Sequence, residues 1–493
     1  MIDFFTTFFI VCIALILWWI VEDRRSTANL PPGPPRLPII GSLLSITFKS
    51  ELPSITLANL SKIYGDVVHV KMGMSSKVVF STYEAAKEIL DHDKANETDL
   101  VGIIGDRNMH QNMGIVWASE EVWRTLRRFT IRTLRDFGFG KAASMDVVIN
   151  EELVKFLRHF NRTLNSNNDN KMLVTKELFA MSALNVLWRL VTGKSYELGN
   201  ERLKELLRLS NEFVNASTYC GDISTIFPTL RDWLPDYFTG RKRIEKCIQK
   251  LRDFARIPKR LLMYSLQKEE NQKSNLNDEQ LIYTLLDLFQ GGADTSSNTL
   301  TFALLYLTLY PDIQNKVHEE LDAVISKDAV ITVEMKSKLP YCSATLLETL
   351  RYSSVIPFAP NRVAVDDFQF RNYTIKKGTT IMVNLHGLNV DEQIWGDPLV
   401  FRPERFLTQE GEIDKGMAEL VMALEEGDVG VLHKILEKPQ FSCISHPSSD
   451  TLNWKRRLME MRNWLLPQSQ LLAWDTQQNR LKQRLPEKSE FIM

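Results

Sequence analysis

The segment FQGGADTSSNTL, Phe289 to Leu300, has the residue types and spacing most suggestive of chemistry. Gly291 and Gly292 each cost a helix about 1 kcal/mol relative to alanine, yet they interrupt a long apolar run. Asp294, Thr295, Ser296 and Ser297 follow directly. One physical reason for this order is a local opening of the helix, which lets backbone and hydroxyl groups face a small ligand. An acid beside an alcohol, Asp294 and Thr295, also suits a proton relay. The plainer alternative is a packing notch with solvated polar neighbours.

Two further pairs share a helix face. In LLETLRYS, Glu348 and Arg351 are three apart and can pair; taken alone, such a pair is usually an exposed salt bridge of little value. In VWRTLRRF, Trp123 and Arg127 are four apart. An aromatic plane beside a guanidinium suits an anionic carboxylate on a flat apolar ring system, or else a cation–π pair on the surface of a basic helix. That helix carries Arg124, Arg127, Arg128, Arg132 and Arg135 and could dock an acidic partner.

The elements that would position these groups are mostly helical. Apolar residues recur at three-and-four spacing over Glu121 to Arg135, Leu173 to Val191, Leu281 to Tyr310 and Pro311 to Val324. Short strand-like runs lie at Val67 to Val70 and Lys77 to Phe80, and again at Asn361 to Val365, Phe368 to Phe370 and Thr379 to Asn384. The expected order is a small sheet at each end of a long helical middle. Residues 39–407 read as one large α-rich domain. Before it, Phe4 to Val21 is an uncharged apolar run of spanning length, with Arg24 and Arg25 only on its C-terminal flank. Residues 1–25 are therefore expected to be a single uncleaved membrane anchor that leaves the body cytosolic. Residues 26–38, with LPPGPPRLP, form a stiff proline-rich hinge.

Composition narrows the function classes. Lys and Arg total 60 against 61 Asp and Glu, a net charge of -1, which lacks the basic excess of a general nucleic-acid surface. The five cysteines, Cys12, Cys220, Cys247, Cys342 and Cys443, form no CxxC pair. That argues against a disulfide framework or a zinc module.

Taken in order, these motifs resemble the cytochrome P-450 family of haem-thiolate monooxygenases, microsomal type. The likeness runs from the anchor and PPGPP hinge through WRTLRRF, GGADTS, ETLR and HGLNVDEQIWGDP to FRPERF, about residues 1–407. It implies a single mainly α domain with a small β-region and haem as cofactor. Electrons would come from NADPH through a reductase docked on the basic face around Arg124 to Arg135. A small lipophilic substrate would be hydroxylated at the endoplasmic reticulum membrane. By the same likeness, Trp123 and Arg127 would hold a haem propionate, Asp294 and Thr295 would deliver protons during oxygen activation, and Gly291 and Gly292 would leave room for dioxygen. Glu348 and Arg351, joined by Arg405, would lock the structure beneath the haem. The loop from Gly102 to Gly114, the region from Leu203 to Phe238 and Val355 to Ala359 would line the substrate cavity. Near Asn361 the sequence lacks the propionate-binding histidine common in this type.

After FRPERF the likeness fails. The family presents its axial cysteine in a glycine-rich FxxGxRxCxG loop, where a thiolate favours O–O cleavage. Here LTQEGEIDK, Leu407 to Lys415, leads instead into GMAEL, and no such loop follows. Cys443, in PQFSCISHP, has no glycine close by and no arginine at the matching offset, so it is a poor substitute. The expectation is a family domain incomplete at its C-terminus, impaired in haem binding and oxygenation. Residues 408–493 read as a non-family tail with amphipathic helices, from splicing or a mis-joined gene. The alternative function is a catalytically inactive, membrane-anchored relative that acts by protein interaction or is degraded.

Overall fold

The computed structural model describes residues 13–14 and 29–421, except 48–51, 96, 137–141, 167–174, 194, 217–222, 228–232, 237–239, 257–277 and 326–331. Apart from Ile13 and Ala14, the expected anchor lies outside the described residues, as does Cys443 with the tail beyond residue 421. Among the described residues no helix is long and apolar enough to cross a membrane.

Among the described residues, seven strands and a longer series of helices frame the site, and those used below are named here. In chain order the first helices and strands are α1 (Pro53–Tyr64), β1 (Val67–Met72), β2 (Ser75–Phe80), α2 (Tyr83–Leu90), β3 (Glu97–Thr98), α3 (Gly102–Arg107) and α4 (Glu120–Asp136). The middle is helical: α5 (Ala142–Ser166), α6 (Thr175–Thr192), α7 (Glu201–Ala216), α8 (Arg241–Ala255), α9 (Asp278–Leu309) and α10 (Pro311–Val324). Then come α11 (Pro340–Ser353), β4 (Arg362–Val363), β5 (Phe368–Phe370), β6 (Tyr373–Ile375), β7 (Thr380–Val383), α12 (Leu385–Asn389) and α13 (Lys415–Leu420).

The strands do not form a separate sheet at each end of the chain. One five-stranded sheet takes the order β1-β2-β7-β4-β3. Its centre joins the two ends in parallel register, with Val78 opposite Ile381 and Phe80 opposite Val383. Strand alternation reports only which faces are buried, and a partner three hundred residues away leaves no local mark. β5 and β6 form a separate hairpin.

The hinge docks directly on this sheet. The His69 N–H donates to the Pro32 carbonyl at 2.9 Å. A Cβ on Gly33 would stand 1.9 Å from the His69 carbonyl oxygen. Backbone cannot yield as a flexible side chain can, so Gly33→Ala is expected to lower stability by about 1–3 kcal/mol. A thermal melt of the variant beside wild type measures it, and an unchanged midpoint would contradict this contact.

The main core sits where α6, α7, α8 and α9 cross. The Trp188 ring lies 5.3 Å from Phe289 and 5.0 Å from Phe254, within the range that favours aromatic pairs. Helix α9 runs unbroken from Asp278 to Leu309 through both glycines, so of the two readings of the glycines the local opening is absent. The hydroxyls of Thr295, Ser297, Thr299 and Thr301 donate to the helix's own carbonyls, at Gly291, Asp294, Thr295 and Ser297 respectively. Back-bonding of this kind satisfies buried hydroxyls without breaking a helix.

Candidate active site on the central helix

The two glycines of α9 have different surroundings. An added Cβ on Gly291 would meet nothing within 4 Å, whereas one on Gly292 would stand 2.4 Å from Leu187 Cδ1 of α6. Gly292 is thus a notch for the α6–α9 crossing, and open space lies only at Gly291. The acid and the alcohol also part company. Asp294 Oδ2 accepts from the Ser210 hydroxyl of α7 at 3.1 Å, while the Thr295 hydroxyl is engaged with the Gly291 carbonyl. Both are partly buried.

On α4 the Arg127 guanidinium lies 5.1 Å from the centre of the Trp123 ring. Both side chains are half-buried, while Arg124, Arg128, Arg132 and Arg135 are exposed. Spacings of four, four and three put those four arginines along one stripe. The helix therefore separates a tucked aromatic–guanidinium pair from a basic outer face.

Sequence spacing undervalued the Glu348–Arg351 pair, because spacing carries no burial. Both side chains have zero exposure. Arg351 donates through Nε to Glu348 Oε2 at 2.7 Å and through Nη2 to Oε1 at 2.8 Å, a two-point fork. Its Nη1 reaches the carbonyls of Asn389 at 2.7 Å and Pro398 at 2.9 Å. Arg405 Nε joins at 3.2 Å from Glu348 Oε1, and the Arg402 backbone N–H at 2.8 Å. The remaining Arg405 donors reach the carbonyls of Trp395, Asp397 and Val400. The Glu348–Arg351 pair thus ties α11 to the chain from residue 389 to 405.

Residues beyond the FRPERF signature join this node. The Asp414 side chain accepts from the Met417 N–H at 3.1 Å and caps α13. Met417, Leu420 and Val421 pack with Ala344, Trp395 and Phe406.

A group with no sequence signal is the buried pair of Arg107 and Asp287, 2% and 4% exposed. Arg107 Nη2 donates to Asp287 Oδ1. Burial pushes the Asp287 carboxyl above the usual range, opposed by the Arg107 guanidinium and by the N–H groups of Val116 and Ile115. A lone DLF in a helix gives no hint of this; a buried partner at residue 107 is a tertiary fact.

A sequence model of the cytochrome P450 family matches residues 31–419. The chain belongs to the cytochrome P450 family. It is 30% identical to farnesoate epoxidase of Bombyx mori over 422 residues, covering 82% of this chain and 84% of the relative. Cytochrome P450 2C23 of Rattus norvegicus is 32% identical over 419 residues, with 82% of each chain covered. Cytochrome P450 2C8 of Homo sapiens is 31% identical over 427 residues, 82% of this chain and 84% of the relative. Members of the cytochrome P450 family are haem monooxygenases, and those of the microsomal type suggest an endoplasmic reticulum location, a reductase partner and lipophilic substrates.

Among the described residues no thiol fits that centre. Of its cysteines, Cys247 and Cys342 lie among the described residues. The Cys247 thiol donates to the Leu209 carbonyl at 3.1 Å, and burial pushes it up to about 11; such a thiol stays protonated and is a poor metal ligand. The Cys342 thiol lies on α11, 3.9 Å from the Val317 carbonyl. Both precede Phe406, so among the described residues no cysteine stands where the family places its thiolate.

Proposed function

We propose that this chain keeps the P450 scaffold for a small lipophilic substrate but is impaired as a monooxygenase. The observation that carries this reading is in the sequence: after Phe406 the chain contains one cysteine, Cys443, and it lacks the glycine-rich loop that would present it. Without a thiolate the electron push that favours O–O cleavage is missing. Haem, where bound, would supply oxygen chemistry. The contribution of this chain would be Arg127 and Trp123 at a propionate, open space at Gly291, and protons held at Asp294 and Thr295. Electrons from NADPH would arrive through a reductase on the exposed face of Arg124, Arg128, Arg132 and Arg135. The apolar run from Phe4 to Val21 would anchor the chain in the endoplasmic reticulum membrane with its body cytosolic.

The packing of α13 favours a second reading, an inactive membrane-anchored relative. Met417, Leu420 and Val421 pack with the cluster around Trp395 and Phe406, which supports a scaffold held together beside the node of Glu348, Arg351 and Arg405. Such a scaffold could persist as an interaction partner or be turned over.

The test is the reduced carbon-monoxide difference spectrum of the purified full chain, taken beside its haem content. The expected result is no Soret band at the thiolate position. A band there would overturn the impairment; a chain devoid of haem would leave the inactive relative standing.

A further inference from the structure

We propose that Gln290 is a specificity-determining residue, whose side-chain amide nitrogen selects, among lipophilic guests, those carrying a neutral carbonyl oxygen beside the open space at Gly291. This rests on the reading above, in which the scaffold takes a small lipophilic substrate, and it adds a polar requirement to that class.

Gln290 stands on α9 directly before Gly291, and its side chain is partly buried. Its Oε1 accepts from Arg107 Nη2 at 3.2 Å. A guanidinium has donors and no acceptor, so the oxygen of the amide, not its nitrogen, must face Arg107. That fixes which end of the amide is engaged. The nitrogen is enclosed and has no hydrogen-bond partner among the described residues. A buried donor without an acceptor carries its full desolvation cost, and a guest oxygen that reaches it recovers that cost on binding.

Arg107 is itself held, so the amide is anchored at its oxygen end. Its Nη1 donates to Asn108 Oδ1 at 2.8 Å, and Nη2 also serves Asp287. Its guanidinium lies 5.8 Å from the Phe213 ring of α7 and 5.6 Å from the Tyr283 ring of α9. A donor held this way loses little freedom when a guest arrives.

Residues 283, 287, 290 and 294 follow four-three-four spacing and share one face of α9. Asp287 accepts from Arg107 and from the N–H groups of Ile115 and Val116. Asp294 accepts from the Ser210 hydroxyl, and the Thr295 hydroxyl donates to the Gly291 carbonyl. The Tyr283 hydroxyl also lacks a partner among the described residues, but its side chain is fully enclosed two turns from Gly291. Gln290 instead adjoins the place where an added Cβ would meet nothing within 4 Å. The last torsion of a glutamine is broad, so a modest swing of the amide opens its nitrogen to a guest on that side. The charges on this face choose the acceptor. A carboxylate guest would meet Asp287 and Asp294, one turn to either side, whereas a ketone or ester oxygen brings no like charge.

The experiment uses the full chain, equilibrium dialysis and a matched pair of probes, benzophenone and diphenylmethane, which differ by a carbonyl against a methylene. The ratio of the two affinities removes whatever the cavity does to both. From wild type to Gln290→Leu, the ratio of benzophenone to diphenylmethane affinity is expected to fall about three- to tenfold, the range of one neutral hydrogen bond. Gln290→Glu, ionised beside Arg107, keeps the shape without the donors, so its ratio should fall as well. In wild type the carbonyl stretch of bound benzophenone should lie below its position in an alkane solvent, and in Gln290→Leu it should return there. A ratio unchanged in both variants overturns the selection, even where both affinities drop together, since Gln290 is then wall and not donor. A wild-type stretch at the alkane position overturns it too. Wild type that binds neither probe overturns the lipophilic-cavity reading and the selection with it, whereas binding of both probes at a constant ratio overturns the selection alone.

Discussion

Glu348→Ala is expected to abolish soluble folding of the chain or lower its stability by about 3–5 kcal/mol, the cost of breaking a buried ion pair from one side. Two guanidiniums converge on Glu348, those of Arg351 and Arg405, and all three side chains are buried. Removing the carboxylate leaves two positive charges facing each other where water cannot reach them. It also strips the Arg402 backbone N–H of its acceptor. Against a total stability of about 5–15 kcal/mol for an ordinary domain, that loss is decisive. Arg351→Lys keeps the charge but loses the fork and the carbonyl contacts to Asn389 and Pro398, so it should fall between wild type and Glu348→Ala. Soluble yield and thermal midpoint read all three. A Glu348→Ala chain as stable as wild type would show that the node does not hold α11 to the segment 389–405.

The second large effect is acid lability. Two histidines, the buried His69 and the partly buried His386, are held neutral. His69 is lowered to about 3, first by burial and then by the nearby charges of Arg36 and Lys71. His386 is lowered to about 4 by burial and by the Arg351 guanidinium. The hydrogen bonds agree. His69 Nε2 lies 2.8 Å from the Ser76 hydroxyl, while its Nδ1 is buried with no hydrogen-bond partner among the described residues. The Ser354 hydroxyl donates to the Arg351 carbonyl, so it accepts from His386 Nδ1–H at 3.3 Å.

In the unfolded chain both rings titrate near the ordinary value of about 6.5. Below that pH the unfolded state binds protons that the native state refuses, so stability falls as pH drops from about 6.5 towards 4 and then 3. Above about 6.5 the contribution is constant. Carried down to the native values near pH 4 and pH 3, the loss amounts to about 3 kcal/mol for His386 and about 5 kcal/mol for His69. The thermal midpoint should therefore drop steeply from about pH 6.5 to about pH 5. His69→Gln and His386→Asn keep the neutral hydrogen-bond positions without the titration, and each should flatten that slope. Equal slopes in wild type and both variants would sink this account.

The failures and successes of sequence reading follow from particular residues. The strand-like run at Thr379 to Asn384 was legible from its composition, but its parallel partner β2 was not, because register between distant segments is decided by packing. GGADTS marked the central helix as unusual and left two explanations open, a local opening or a packing notch. Whether a glycine opens a helix or lets another helix approach depends on what stands opposite, and for Gly292 that is Leu187. Glu348 and Arg351 looked like a surface pair, since three-residue spacing says nothing of burial. Arg107 and Asp287 gave no signal at all, being ordinary charged residues until the fold excludes water from both.

By itself, the sequence determined the family, through the order and spacing of WRTLRRF, GGADTS, ETLR and FRPERF. It also determined the absence of a cysteine loop after Phe406, because motifs and their absence are properties of the linear chain. Only the tertiary structure decided which charges are buried, which glycine faces open space and how the loop before Val116 is held. Those depend on desolvation and on contacts between segments far apart in the chain, which no local pattern records.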